Sequence, residues 1–286
     1  MGCASKKVAF CMAICMISLI LIAGCCEFEI NPRSLLSYYS YDLRIYTTGP
    51  ITDVTIYLPL PVKHGVPMVG PVVLHESDFA TSNLSVEFVA SPPGINLSEI
   101  LNQTDTHPPS GNEPKYLKIS TDRVYLDETQ DGPYRIEIDN LTWLESPLSF
   151  ADTANPYFNE TVFLPKLNFA LPAPTEGIPV NSTSTSSHNY QLTPIAVSQQ
   201  VPIYAEYSAS PSTRVTIRSS ISGANDWRER CEIGAGNSYD DYYEWYHSGD
   251  SHGWQTASGM YIAARGEYPN LSHPVWQEVL NRTAEE

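Results

Sequence analysis

Charge is the first thing in short supply. Asp, Glu, Lys and Arg together make up 17 % of the 286 residues. Coiled coils and charge-rich disordered chains both need more, so neither class fits. Positive charge is scarcer still: 16 Lys and Arg stand against 32 Asp and Glu, a formal charge of −16. That balance argues against nucleic acid as a partner, because phosphate-backbone binding needs a cationic surface. The usual metal signatures are missing too: the seven His are scattered, and neither H-E-x-x-H nor C-x-x-C occurs. Tyr (18) and Pro (23) are plentiful, and 42 % hydrophobic residues are enough to build the core of one large or two ordinary domains.

Lys6 and Lys7 precede an uncharged stretch from Val8 to Cys26 that ends at Glu27. Its apolar part, Val8–Ala23, has about the upper length of a signal-peptide core. Taken to Cys26, at about 1.5 Å per residue, it nearly spans a hydrocarbon layer of about 30 Å. Residues 1–24 therefore read as a signal peptide or as a signal anchor, a transmembrane helix. Either one leaves the two lysines in the cytoplasm and delivers the chain after Glu27 to the outside. Met1-Gly2-Cys3 would suit N-myristoylation, but that motif wants Ser or Thr where Lys6 stands. The end of the run, Leu21-Ile22-Ala23-Gly24-Cys25, resembles the lipobox of prokaryotic lipoproteins. The resemblance implies acylation of Cys25 and cleavage before it, leaving a mature chain of 262 residues. Removing residues 1–24 takes away two lysines and no acid, so −16 becomes −18.

Cys3, Cys11 and Cys15 lie in the leader, which leaves Cys25, Cys26 and Cys231. With Cys25 acylated, a Cys26–Cys231 disulfide is open outside the cell, but no disulfide framework follows, so the fold must rest on its apolar core. Eight N-x-S/T sequons occur, at Asn83, Asn96, Asn102, Asn140, Asn159, Asn181, Asn270 and Asn281. That is about three times what composition alone gives, and it marks these positions as glycosylation acceptors on an external protein. The alternative is loops rich in Asn, Ser and Thr because those residues favour turns. An acidic chain with a lipobox and many sequons resembles archaeal cell-surface proteins. Asn237–Asp241, His252-Gly253-Trp254 and the Tyr57–Pro61 run are similar to segments of uncharacterised archaeal cell-surface β-proteins, a resemblance that brings no activity with it.

The body of the chain reads as strands. Tyr39, Tyr41, Leu43 and Ile45 alternate with Ser40, Asp42, Arg44 and Tyr46, the period of a half-buried strand. Val54, Ile56, Leu58, Leu60 and Val62 continue the pattern after a Gly49-Pro50 turn; Pro59 and Pro61 place the end of that strand at a sheet edge, since they donate no ladder bond. Shorter alternations run through Leu84–Phe88, Leu117–Ile119, Tyr134–Ile138 and Ile203–Tyr207, and Val215, Ile217 and Ile221 alternate with outward Thr216, Arg218 and Ser220. Many short strands with Gly, Pro and Asn turns predict an all-β antiparallel sandwich. The expected plan is a linker at 25–36, a β-sandwich domain at 37–170, a Pro/Ser/Thr-rich linker or long loop at 171–198, and a smaller β-domain or second sheet at 199–286. A polar loop is expected at Thr104–Pro114. A short C-terminal helix should start at Pro274, capped by Ser272, with Val275, Val279 and Leu280 on one face.

Three groupings in the last third bear on chemistry. Gly249-Asp250-Ser251-His252-Gly253 matches the G-x-S-x-G nucleophile elbow, but its flanks read as strand. Its downstream partners reduce to Glu267 or Glu278 with His273. Asp226, Glu229, Glu232, Asp240, Asp241, Glu244 and Asp250, with Asn225 and Asn237, supply oxygen ligands of the kind Ca²⁺ takes, without the spacing of a calcium loop. Cys231, His247 and His252 offer softer ligands at no diagnostic spacing. No catalytic, cofactor or metal site is assigned on these grounds. The aromatics Trp227, Tyr239, Tyr242, Tyr243, Trp245, Tyr246 and Trp254 read as a hairpin, with core packing set against exposed rings that stack on sugars or anchor a protein.

The reading that results is a non-catalytic lipoprotein on the outer face of the cytoplasmic membrane, structural, adhesive or binding. An envelope serine hydrolase using Ser251 and a solute-binding lipoprotein of two α/β lobes are the alternatives. Cys25→Ala should abolish metabolic lipid labelling and leave the precursor at full mass, as intact-mass spectrometry of membrane extracts will show; an unchanged lipid signal would reject Cys25 as the attachment point.

Overall fold

The computed structural model describes residues 35–63, 66–67, 80–90, 116–125, 134–143, 151, 153–154, 162–164, 179–180, 189–228 and 234–284. The leader, Cys25, Cys26, Cys231, the Thr104–Pro114 loop and much of 171–188 lie outside this set. In chain order the strands are β1 (Leu36–Thr47), β2 (Ile51–Lys63), β3 (Val66–Pro67), β4 (Ala80–Ser82), β5 (Ser85–Val89), β6 (Tyr116–Tyr125) and β7 (Tyr134–Trp143). They continue with β8 (Val162–Leu164), β9 (Pro179–Val180), β10 (Asn189–Leu192), β11 (Ile195–Ala209), β12 (Arg214–Arg228), β13 (Gly234–Ser248) and β14 (Trp254–Pro269), and a helix, α1 (Pro274–Ala284), ends the described chain.

The fold is all-β and antiparallel, as the alternation requires, but its walls are not two separate sheets. One sheet runs β4-β6-β2-β11-β14-β13-β12-β1-β7 and curls so that its inner face packs on itself. Strands from before 171 and after 198 interleave: β2 lies between β6 and β11, and β1 lies between β7 and β12. Two residues in the left-handed region help it bend. Asp53 in β2 (φ 55°) and Ala264 in β14 (φ 58°) each sit at a shift of ladder register, and such bulges bend a strand and raise its twist.

In β1 and β13 burial alternates residue by residue. Tyr39, Tyr41, Leu43 and Ile45 of β1 are buried, and so are Val215, Ile217 and Ile221 of β12 and Tyr239, Tyr243 and Trp245 of β13. They join Ile56 and Leu58 of β2, Ile203 and Tyr207 of β11 and Tyr261 of β14 in one apolar core. Burial pushes the phenol of Tyr41 well above its ordinary value, partly offset by the Ser219 hydroxyl, which donates to it at 3.4 Å. Pro59 and Pro61 fall where the sheet thins on one side. The ladder with β11 stops at Tyr57, and beyond Pro59 the strand pairs with β8 and β3.

The helix forms where expected, but its cap differs. Gln277 N donates to His273 O at 3.1 Å and Val275 N donates to the His273 ring Nδ1 at 3.3 Å, so His273 rather than Ser272 caps it. Its main anchor is Trp276, which meets Trp227 edge-on at 5.4 Å and packs with Leu35 and Val279. Leu280 is only half-buried.

Gly223 of β12 is opposite Tyr39 on one side and Tyr239 on the other, and the two rings meet over it at 6.4 Å. A Cβ there would stand 2.4 Å from the Tyr239 ring and 2.9 Å from the Tyr39 ring. Gly223→Ala should therefore destabilise the fold by about 1–3 kcal/mol, since both rings are buried and have nowhere to retreat. Denaturant unfolding will show it as a lower midpoint at constant slope.

Candidate functional site

The alternation that fills the core sends every second residue of β1, β12 and β13 to the outer face, in register. Asp42 is opposite Ser220, and Ser220 opposite Tyr242. One step along, Arg44 is opposite Arg218, and Arg218 opposite Glu244. These six residues with Tyr46 line a concavity of about 330 Å³. Two ion pairs cross its floor: Arg44 Nη2 meets Asp42 Oδ2 at 2.7 Å, and Arg218 Nε meets Glu244 Oε1 at 3.0 Å. The Arg44 guanidinium is held above its ordinary pKa, first by its hydrogen bond with Tyr46; burial lowers it, and the charge and hydrogen bond of Asp42 raise it again.

Like charges set directly opposite each other destabilise a sheet, and exposed ion pairs return about 0–1 kcal/mol. Arg44 has Arg218 on one side and Glu137 of β7 on the other, so the row across the sheet reads acid, base, base, acid. The Tyr242 ring at the border is 39 % exposed. Tyr246, further along β13, is 64 % exposed, but the Arg214 guanidinium lies 4.8 Å over its ring. The aromatic stretch therefore divides by face: Tyr239, Tyr243, Trp245 and Trp227 are buried, whereas Tyr242 and Tyr246 are outside.

The acidic and amide residues of the same region are dispersed by that alternation too. Asp226, Asp240 and Glu244 lie on the outer face; Asn225, Asn237 and Asp241 are buried. Gln199 Nε2 donates to Asp241 Oδ1 at 2.5 Å. Asn225 forms a clip: its Oδ1 accepts from Ala151 N at 2.7 Å, and its Nδ2 donates to Ala151 O at 2.8 Å and to Asn237 Oδ1 at 2.6 Å. Thr153 joins this network through Asn237 and Tyr268, and Asn237 Nδ2 donates to Glu267 O at 2.8 Å. The side-chain oxygens of Asn225 and Asn237 and one of Asp241 are thus engaged by protein donors, and among the described residues no three acidic, His or Cys side chains converge as metal ligands. Glu229 and Glu232 lie outside the described set.

Ser251 is placed in a β-hairpin connection and not at a strand-to-helix turn. It is buried, its backbone bridges to Tyr207, and its hydroxyl donates to Ala205 O at 3.0 Å. His247 Nε2 meets Asp250 O at 2.8 Å, with its ring stacked on Trp245, and His252 is exposed. Of the sequons, Asn83 is exposed in a turn with φ 56°, its Nδ2 donating to Asp122; Asn281 is exposed on α1. Asn270 is half-buried, and its Oδ1 accepts from Ser272 N at 3.2 Å. Asn140 lies in β7 opposite Tyr41. Asn96, Asn102, Asn159 and Asn181 are outside the described residues.

No protein-family model, curated protein or solved structure matches this chain. Among the described residues, no helix is long and apolar enough to cross a membrane.

Asp42, Arg44, Arg218 and Ser220 are each legible as outward-facing from their own strands. Their convergence is not, because it depends on β1 pairing with β12 from the far end of the chain. If the array is not structural, Arg218→Ala will change unfolding free energy by less than about 1 kcal/mol. Asn225→Ala, which leaves buried groups of Ala151 without their partner, will cost about 1–3 kcal/mol in the same denaturation assay.

Proposed function

We propose that this chain is an extracytoplasmic lipoprotein of archaeal type, tethered through Cys25 at the outer face of the cytoplasmic membrane and glycosylated on its sequons. It acts there as a non-catalytic binding or adhesive module for an envelope glycan or protein. The address rests on the leader: two lysines, an apolar run and the lipobox ending at Cys25. The exposure of Asn83 and Asn281 agrees with the use of those sequons.

One observation carries the binding role. Arg44, Arg218, Asp42, Glu244 and the exposed Tyr242 gather around an open concavity on the outer face of the sheet. The position suits a tethered protein. Cys25 lies eleven positions before Leu36, where β1 begins, and Arg44 is eight residues further along that strand. At about 3.4 Å per residue the strand carries the array about 27 Å from the tethered end.

Protease added to intact cells stripped of their outer envelope should digest the body of the chain, while inverted membrane vesicles should protect it. Immunoblots of the two preparations decide the matter, and the reverse pattern would refute the topology.

A further inference from the structure

Building on that surface-displayed reading, we infer that the concavity formed by β1, β12 and β13 is a binding site for a neutral oligosaccharide, stacked on Tyr242 and hydrogen-bonded by Arg218, Glu244 and Ser220. The array has the right kinds of groups. Arg218 uses one of its five N–H donors on Glu244, and its remaining donors border the concavity. Glu244 keeps a second carboxylate oxygen as acceptor, and the hydroxyls of Ser220 and Tyr242 serve as both donor and acceptor. Alternating donors and acceptors around an open hollow match the successive hydroxyls of a sugar.

Charge points to a neutral ligand. Arg44 and Arg218 are balanced by Asp42 and Glu244, and Glu137 and Asp139 of β7 stand opposite Arg44 and Asp42 in register, so the array carries no positive excess, while the chain as a whole is −16 and repels anions. The ion pairs also hold the side chains in place before a ligand arrives, which reduces the ordering cost of binding. Tyr242 is the ring to stack on, since the face of Tyr246 is already covered by Arg214. Size agrees as well. Three strands at about 4.8 Å spacing and two outward steps of about 6.7 Å give a footprint of about 10 by 13 Å, room for two or three sugar rings. A protein partner would be expected to find a buried apolar anchor point, and this hollow is lined mainly by charged and hydroxyl side chains.

The test uses the full chain in lipid nanodiscs, which avoids sugar-headed detergents. Saturation-transfer NMR and titration calorimetry are run against neutral hexose and N-acetylhexosamine oligosaccharides of two to four units, with uronate-containing oligosaccharides alongside. The expected result is transfer to at least one neutral oligosaccharide. Tyr242→Ala should weaken that binding about tenfold, in line with a lost stacking contact. Arg218→Ala should weaken it too, and Tyr246→Ala should leave it unchanged. Circular dichroism of each variant confirms that the sheet is intact. Binding that survives both Tyr242→Ala and Arg218→Ala places the sugar elsewhere and overturns the assignment. Binding confined to uronates, with a steep salt dependence, overturns the neutral class. Absence of any carbohydrate binding overturns this inference while leaving the surface topology to stand or fall by protease accessibility.

Discussion

Curling a single sheet until its inner face meets itself requires thin places, and two glycines supply them. Gly223 lets the Tyr39 and Tyr239 rings close over the β12 backbone. Gly259 of β14 lets that strand lie tight against β13, where a Cβ would stand 2.1 Å from the Tyr242 carbonyl oxygen. The register so enforced governs both faces together. The row Leu43, Ser219, Tyr243 on the inside implies the row Arg44, Arg218, Glu244 on the outside. A slip of one residue in any of these strands would bury guanidinium groups and expose tyrosines, so packing inside is what secures the polar arrangement outside.

Much of the fold could be read from period-two alternation. The inward and outward sets of β1 and β12 are those that the side-chain pattern indicates, because a strand with one wet face leaves a local signature. The Tyr239–Tyr246 stretch, which also fits a helical face, resolves as strand because its neighbours on both sides are long antiparallel partners. Strand order was beyond local reading. Nothing in residues 36–47 says that they pair with 215–226 instead of with the next strand along, so the curl of the all-β sheet is a property of long-range pairing.

The acidic and amide-rich segment shows the opposite failure, a strong local signal with a misleading density. Asn225, Asn237 and Asp241 lie near Asp226, Asp240 and Glu244 in sequence, yet the pleat sends the first three inward and the others out. The amide of Asn225 then mimics a neighbouring strand for Ala151, pairing with both its N–H and its C=O. Such a clip is invisible in composition because it depends on a partner 74 positions away. The helix cap is a smaller instance. Ser272 has the preferred side chain, but the His273 ring nitrogen reaches Val275 N and takes the role.

The placement of β1 has a consequence for biogenesis. The first strand of the sheet waits for β12, and β2 waits for β11, so neither can be completed until the last third of the chain exists. Pairings so distant in sequence form slowly. Until then the leading half keeps open strand edges, which the trailing hairpin of β13 and β14 and its flanking strands complete.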